Sequence, residues 1–106
     1  MNTSLNRETM LRLSESQSIS RVDEKEGVIL DFEDKYFRAL NETALFILES
    51  LQASKSGLAV EELLQRLLND FDAKESDLEK DTFDFLELCL QKGIVEVIHS
   101  DGKNKA

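Results

Sequence analysis

Two strand patterns and the tight turn between them decide the fold, and they span the sequence VILDFEDKYFRAL, residues 28–40. From Val28 to Phe32 every second side chain lies on one face, as in a β-strand. The polar residues 33–35 form a turn, and Tyr36–Leu40 is a second strand rich in aromatic residues. A turn this short predicts antiparallel pairing of the two strands.

A further strand and two helices are predicted on either side of this hairpin. Upstream, residues 18–22 form a short strand before a polar turn that ends at Gly27. Downstream, Asn41 is a good N-cap for a first helix. Apolar residues then recur at helical spacing over residues 60–71 and predict a second helix with one apolar face.

A third helix and a short extended segment complete the pattern. The helix stops at Gly93, a residue typical of the position after a helix C-terminus. Its start is left open between two capping boxes, residues 72–75 and residues 76–79. Residues 94–98 form a fourth strand or an extended segment. The sequence therefore predicts an α+β fold, with a three-stranded antiparallel β-meander followed by three α-helices and a short C-terminal extended segment.

The chain length allows one domain. Its 106 residues are too few for two ordinary domains, and an apolar share of 41% is usual for a globular protein. We predict that the domain spans residues 18–98. The polar residues 1–17 are expected to form a flexible N-terminal arm, and residues 99–106 a flexible tail.

Charge argues against two classes of partner. The sequence has 13 Lys and Arg against 22 Asp and Glu, a formal net charge of −9. An acidic surface repels nucleic acid and anionic membranes, so neither is expected as a partner. The longest apolar run, residues 44–48, is too short to cross a bilayer. With a single cysteine and no signal-peptide pattern, the expected compartment is the cytoplasm.

Residues suited to catalysis are sparse. His99 is the only histidine, and its position beside the polar tail favours an exposed bystander over a catalytic base. Cys89 lies on the apolar stripe of the third helix, which favours a buried and inert thiol. The carboxylates are dispersed over outward faces, and no calcium-loop or phosphate-loop motif is present. We therefore predict no enzyme, no catalytic residue, no metal site and no cofactor.

The last strand of the meander is the feature that suggests a function. A meander ends in an edge strand, and an open edge invites pairing with another chain. Tyr36–Leu40 carries apolar or amphipathic side chains on both faces, which suits the addition of an incoming peptide strand. The third helix has an apolar stripe wider than one neighbour needs, so it could form the other wall of a groove. From the pattern alone, burial of both strand faces in the core explains this strand equally well.

Several short motifs match a known family in the expected order and spacing. They are Gly27-Val28-Ile29-Leu30-Asp31, Lys35-Tyr36-Phe37-Arg38-Ala39-Leu40-Asn41-Glu42-Thr43, Val60-Glu61-Glu62-Leu63, Asp81, Phe85-Leu86 and Lys92-Gly93-Ile94. On these residues the chain resembles the coenzyme PQQ synthesis protein D family. That family is the stand-alone form of the RiPP recognition element, where RiPP denotes a ribosomally synthesised and post-translationally modified peptide. The resemblance covers roughly residues 18–95.

The resemblance implies a winged-helix-like fold and a role in peptide recognition. The protein would bind the leader segment of a ribosomally made precursor peptide as a strand beside Tyr36–Leu40 and against the third helix. In a chaperone-like way it would present the precursor to a modifying enzyme, such as a radical enzyme, a cyclase or a protease. It would do no chemistry itself.

The resemblance also implies which residues bind the leader. The strand would supply backbone pairing and flanking pockets through Tyr36, Phe37, Arg38, Ala39 and Leu40. The third helix would line the groove with Leu78, Thr82 and Phe85. Asp81 would either take a basic residue of the leader or cap local structure. Ala44 and Ala59 depart from the family, which often has Gly and Ser or Thr there, but both concern helix starts.

Two other classes of protein compete with this interpretation. A winged-helix DNA-binding regulator would need a basic third helix, whereas acidic residues outnumber basic ones between residues 74 and 92. A structural or assembly subunit would pair its edge strand with a second copy of itself. The expected oligomeric state is therefore a monomer or a strand-swapped dimer.

Overall fold

The computed structural model describes the backbone of residues 5–31 and 36–98, and the side chains of residues 5–30 and 39–98. Its strands and helices follow one another as β1 Met10–Leu13, β2 Gln17–Arg21, β3 Gly27–Asp31, β4 Tyr36–Leu40, α1 Glu42–Ala53, β5 Leu58–Ala59, α2 Val60–Asp70, α3 Glu75–Gln91 and β6 Val95–Ile98. The predicted turn at residues 33–35, His99 and the predicted tail 99–106 lie outside the described residues.

The predicted meander is confirmed as a three-stranded antiparallel sheet in the order β2-β3-β4. Its middle strand opens at Gly27, whose position faces the core. A Cβ there would lie 2.7 Å from the carbonyl oxygen of Ser20 and would also collide with the side chain of Leu45. Gly27 therefore allows α1 to pack closely on the sheet.

A second small sheet, in the order β5-β1-β6, corrects the expected N-terminal arm. The sequence predicts a flexible arm over residues 1–17, but residues 10–13 form β1, which pairs with β6 through four residues and with β5 through two. Leu11 at its centre is fully buried, and Gln17 already belongs to β2. A strand of four residues shows too short an alternation to be predicted from sequence. Its partner strands lie far away in the sequence, so no tight turn indicates the pairing either.

The predicted cap forms at the start of α1, whereas the predicted capping boxes do not form at the start of α3. Asn41 caps α1 as expected, since its Oδ1 accepts a hydrogen bond of 2.9 Å from the Ala44 amide. Helix α3 begins at Glu75 after Lys74, without a side-chain cap. Neither predicted capping box, at residues 72–75 or 76–79, forms there.

The end of α3 matches the prediction. Gly93 has a φ of +76°, in the left-handed region that favours glycine. Its amide donates to the Leu90 carbonyl, and the Ile94 amide donates to the Cys89 carbonyl. These two bonds form a Schellman motif, which turns the chain from α3 into β6. The predicted fourth strand is confirmed as β6.

Helix α1 is the centre of the core. Its residues Leu45, Ile47 and Leu48 are fully buried, and the helix contacts both sheets and α2. The same buried cluster includes Leu63, Leu64 and Leu67 of α2, Leu86 and Cys89 of α3, and Ile29 of β3. In the described part of the chain, no helix is long and apolar enough to span a bilayer.

Candidate functional site

Strand β4 is one end of the β2-β3-β4 sheet, and the hydrogen-bond pattern shows which of its backbone groups face outward. In an antiparallel ladder the bonded pairs alternate along the strands. The Val22 amide donates to the Glu26 carbonyl at the β2–β3 turn. Counting from that bonded pair, Val28 and Leu30 bond towards β2, and Ile29 bonds towards β4.

The same alternation continues into β4. Because Ile29 faces β4, its partner Arg38 returns those bonds, and so do Tyr36 and Leu40 with their own partners. The amides and carbonyls of Phe37 and Ala39 therefore point away from the sheet. Among the described residues, no strand pairs with this outer side of β4.

A groove lies at the C-terminal end of this open edge. It has a cavity volume of about 430 Å³. The end of β4, the first turns of α1 and one face of α3 form its walls. The lining residues are Ala39, Leu40, Asn41, Thr43, Ala44, Ile47, Leu78, Asp81, Asp84 and Phe85.

The floor of the groove is apolar and its rim is acidic. Leu40, Ile47 and Leu78 are buried, and Phe85 is half-buried. On the rim, Asp81 and Asp84 are exposed. Asp84 Oδ2 lies 3.0 Å from Lys80 Nζ, so part of its charge is already paired. The groove therefore suits an apolar side chain, with room for a basic group near the rim.

The structure brings most of the predicted site residues together. Ala39, Leu40, Leu78, Asp81 and Phe85 all line the groove. Ala39 is exposed while Leu40 is buried, so burial of both faces of the strand in the core does not describe its C-terminal half. The side chains of Tyr36, Phe37 and Arg38 lie outside the described part of the structure.

Thr82 is the predicted α3 residue that does not line the groove. Its side chain is fully buried, and it is not among the lining residues. Within the described residues, its Oγ1 has no hydrogen-bond partner. The apolar stripe of α3 contains both residues that face the core and residues that line the groove, and the sequence pattern does not separate the two.

Sequence reasoning missed the residues that α1 contributes. Asn41, Thr43, Ala44 and Ile47 line the groove, but the sequence analysis related Asn41 and Ala44 to the start of the helix and gave none of the four a role in binding. Thr43 and Ile47 are four residues apart and share one helical face. This spacing is the one feature of the sequence that places the two residues together, and it does not indicate which other element their face contacts.

A second missed feature holds α3 in place. The Arg7 guanidinium contacts three carboxylates, at 3.0 Å from Glu61, 3.1 Å from Glu75 and 3.2 Å from Glu79. One residue of the N-terminal segment thus ties the first turn of α2 to the first turns of α3. We call this cluster the Arg7 clamp.

The Arg7 clamp also shifts the acidity of its members. Hydrogen bonding from Arg7, and then from the Gln65 amide, lowers the pKa of Glu61 below its ordinary value. The hydrogen bonds that Arg7 donates to Glu79, Glu75 and Glu61, of which that to Glu79 has the largest effect, raise the pKa of Arg7. Because the three carboxylates are 38–56% exposed, the clamp positions α3 more than it adds stability.

Comparison with known proteins identifies a family and two related structures. The family model described as coenzyme PQQ synthesis protein D (PqqD) matches residues 26–95. The structure titled "TbiB1 in Complex with the TbiA(beta) Leader Peptide" has a TM-score of 0.71 and 19% identity, covering 84% of this chain and 99% of that one.

A second structure has the same fold. It is titled "Lasso peptide synthetase B1 complexed with the leader peptide", with a TM-score of 0.65 and 22% identity, and covers 81% of this chain and 96% of that one. At this level of identity both likenesses show the fold alone. No curated protein matches the chain.

Proposed function

This chain belongs to the coenzyme PQQ synthesis protein D family, and on that premise we propose that it binds the leader segment of a ribosomally synthesised precursor peptide. The leader adds as a strand to the outer edge of β4 and rests against α3. The protein then presents the precursor to a modifying enzyme in peptide natural-product biosynthesis. Two proteins of the same fold are in complex with leader peptides, which supports this assignment.

One observation carries the proposal: an open strand edge runs directly into a groove with an apolar floor. The outward amides and carbonyls of Phe37 and Ala39 offer four hydrogen-bonding groups to an incoming backbone. Main-chain bonds of this kind give affinity for any extended peptide, and adjoining pockets give specificity. Here the pocket between Leu40, Leu78 and Phe85 would accept an apolar side chain of the leader.

The rim of the groove adds a charge preference. Asp81 is exposed beside the groove, and it forms no ion pair with any residue in the described part of the structure. A basic residue of the leader placed near it would be attracted by this carboxylate and by the net charge of −9. The alternative, a local structural role of Asp81, predicts a loss of stability instead of a loss of affinity.

The partner enzyme follows from the proposed role. A leader-binding domain has an effect only when a second protein acts on the core of the precursor. A radical enzyme, a cyclase or a protease would meet this need. In the proposed function this chain supplies binding and orientation and takes no part in bond making or breaking.

Titration with candidate leaders tests the proposal. Peptides covering the N-terminal halves of short reading frames next to this gene would be added to ¹⁵N-labelled protein. We expect saturable amide shifts at Phe37, Ala39 and the groove face of α3, with one peptide per chain. A scrambled peptide of the same composition is the control for charge alone. Equal shifts with both peptides, or shifts away from β4 and α3, would contradict the proposal.

The same open edge supports one second candidate, self-pairing of two copies through β4. That function predicts a concentration-dependent dimer whose formation the leader does not disturb. Binding to duplex DNA is less favoured, because the exposed surface of α3 carries Glu75, Asp77, Asp81, Asp84 and Glu87, and such a surface repels phosphate.

A further inference from the structure

We propose that Gln52 is a specificity-determining residue, whose carboxamide occupies the outer edge of β2 so that incoming chains add only at β4. This inference deepens the proposed function, because it concerns which edge of the sheet takes the leader. It stands on the geometry of β2 and α1, and the self-association that tests it requires no leader.

The outward-facing groups of β2 follow from the same ladder as those of β4. Since Ser18 and Ser20 bond towards β3, the amides and carbonyls of Gln17, Ile19 and Arg21 point away from the sheet. Without further contacts, this edge would resemble the open edge of β4. Both edges belong to strands of five residues.

Gln52 satisfies the central position of this edge. Its Oε1 accepts a hydrogen bond of 2.9 Å from the Ile19 amide. Its Nε2 donates a hydrogen bond of 3.4 Å to the Ile19 carbonyl. One carboxamide thus exchanges two bonds with one residue, as the peptide groups of a neighbouring strand would do.

The remaining contacts of the edge extend this cover. The Gln17 amide donates to the Ser14 carbonyl at 3.1 Å, so the turn between β1 and β2 closes one end. Gln52 is half-buried in the last turn of α1. Because its carboxamide belongs to the same chain, its bonds to Ile19 need no association of a second molecule, which makes it an effective competitor for an incoming strand.

Open space adjoins Gln52 at the Gln17 end of this edge. A cavity of about 390 Å³ there is lined in part by Leu13, Ser14, Gln17 and Gln52. At that end the carboxamide of Gln52 lies beside a cavity, and its hydrogen bonds to Ile19 cover the centre of the edge. The hydrogen bonds of one side chain distinguish β2 from β4, and natural sheets need such devices because open edges pair with other chains.

Replacing Gln52 tests the proposal. Gln52→Leu keeps the size of the side chain and removes both hydrogen bonds. Gln52→Glu keeps the acceptor for the Ile19 amide and loses the donor. Gln65→Leu is the matched control, since Gln65 is an exposed glutamine of α2 whose amide bonds only locally, to Glu61.

Two measurements are made on each variant without any leader. Amide hydrogen exchange at Ile19 reports whether the edge is open, and sedimentation at rising concentration reports whether a second copy adds there. For Gln52→Leu we expect exchange at Ile19 to become at least about tenfold faster and a concentration-dependent dimer to form. Gln65→Leu should show the same exchange rate at Ile19 and the same sedimentation as the parent protein. Gln52→Glu should give values between those of the parent protein and Gln52→Leu.

The outcomes separate clearly. Faster exchange at Ile19 together with a new dimer, absent in Gln65→Leu, supports the proposal. Unchanged exchange, or faster exchange without any added copy, overturns it. If Gln52→Leu fails to fold, Gln52→Glu gives the same two readouts. Failure of the proposed function would appear instead as absence of leader binding in the parent protein.

Discussion

The two outer edges of the β2-β3-β4 sheet have the same length and opposite surroundings. At β2, Gln52 forms hydrogen bonds with both the amide and the carbonyl of Ile19. At β4, the Phe37 and Ala39 backbones face away from the sheet, and a groove with an apolar floor begins at Ala39. The comparison shows that the two edges of one small sheet differ: Gln52 and the turn at Ser14 bond to β2, whereas no described strand pairs with the outer side of β4.

The neighbours of each edge explain the difference. Strand β2 lies beside the C-terminal end of α1, which carries Gln52. It also lies beside the turn at Ser14. Strand β4 leads into the N-terminal end of α1 and faces α3, whose first turns are held by the Arg7 clamp. The cover of the β2 edge thus comes from one side chain and one turn, whereas the groove at the end of β4 is formed where β4, α1 and α3 meet.

Proline substitutions in β4 should have the largest effect on leader binding, because they remove main-chain hydrogen-bond donors. They also distinguish the amides that face outward from those that face the sheet. Ala39→Pro removes an outward N–H and should leave the fold intact. It leaves an acceptor of the bound peptide unpaired and adds steric conflict, so Kd should rise about 100-fold or more. Arg38→Pro removes an inward N–H and should destabilise the protein by about 2–4 kcal/mol.

Thermal melting and peptide titration of the two proline variants check this difference. For Ala39→Pro we expect an unchanged melting temperature and a loss of leader binding. For Arg38→Pro we expect mainly a lower melting temperature. If Ala39→Pro binds the leader as well as the parent protein does, the open edge of β4 is not the site.

The groove beside the open edge predicts the next largest effect. Phe85 is half-buried and lines it, so Phe85→Ala should weaken leader binding by about 10- to 30-fold, as for an aromatic anchor at an interface. Leu88 is the matched control, because it lies one turn further along α3 and is 43% exposed outside the groove. Leu88→Ala should leave Kd within a factor of about two, and titration calorimetry would measure both.

Charge at the groove rim predicts a smaller effect. If Asp81 faces a basic residue of the leader, Asp81→Asn should weaken binding by about two- to fivefold, and the loss should shrink in high salt. Asp84→Asn should matter less, because Lys80 already pairs with Asp84. A lower melting temperature of Asp81→Asn with unchanged Kd would indicate a local structural role instead.

The Arg7 clamp predicts the smallest effect, a pH dependence of stability. The folded-state pKa of Glu61 is lowered from an ordinary value of 4.5. Its contribution is therefore complete above the unfolded pKa and is lost as the pH falls through the lower folded value. Arg7→Met should remove this part of the acid destabilisation below about pH 5 and reduce the melting temperature by a few degrees.

A matched variant checks that this effect belongs to the clamp. Arg12→Met removes a single longer contact, in which Arg12 Nε lies 3.6 Å from Glu96 Oε2. Melting curves recorded between about pH 3 and pH 7 should differ from the parent more for Arg7→Met than for Arg12→Met. If the melting temperatures of the two variants depend equally on pH, the result contradicts a special role of the Arg7 clamp in holding α3.

Local patterns in the sequence determined the elements of the meander and the ends of two helices. Alternation predicted β3, the cap at Asn41 predicted the start of α1, and Gly93 predicted the end of α3. Each of these depends on residues within a few positions of one another, so the sequence alone contains the necessary contacts. The family motifs added the place of the open edge and the identity of the helix beside it.

Contacts between distant residues were decided only by the tertiary structure. Arg7 and Glu79 are 72 positions apart, and Ile19 and Gln52 are 33 apart. Strand β1 is held by partners near both the middle and the end of the chain, and Thr82 faces the core while Phe85 lines the groove. No periodicity records such pairs, because the free energy of each contact is gained only when packing brings the two elements together.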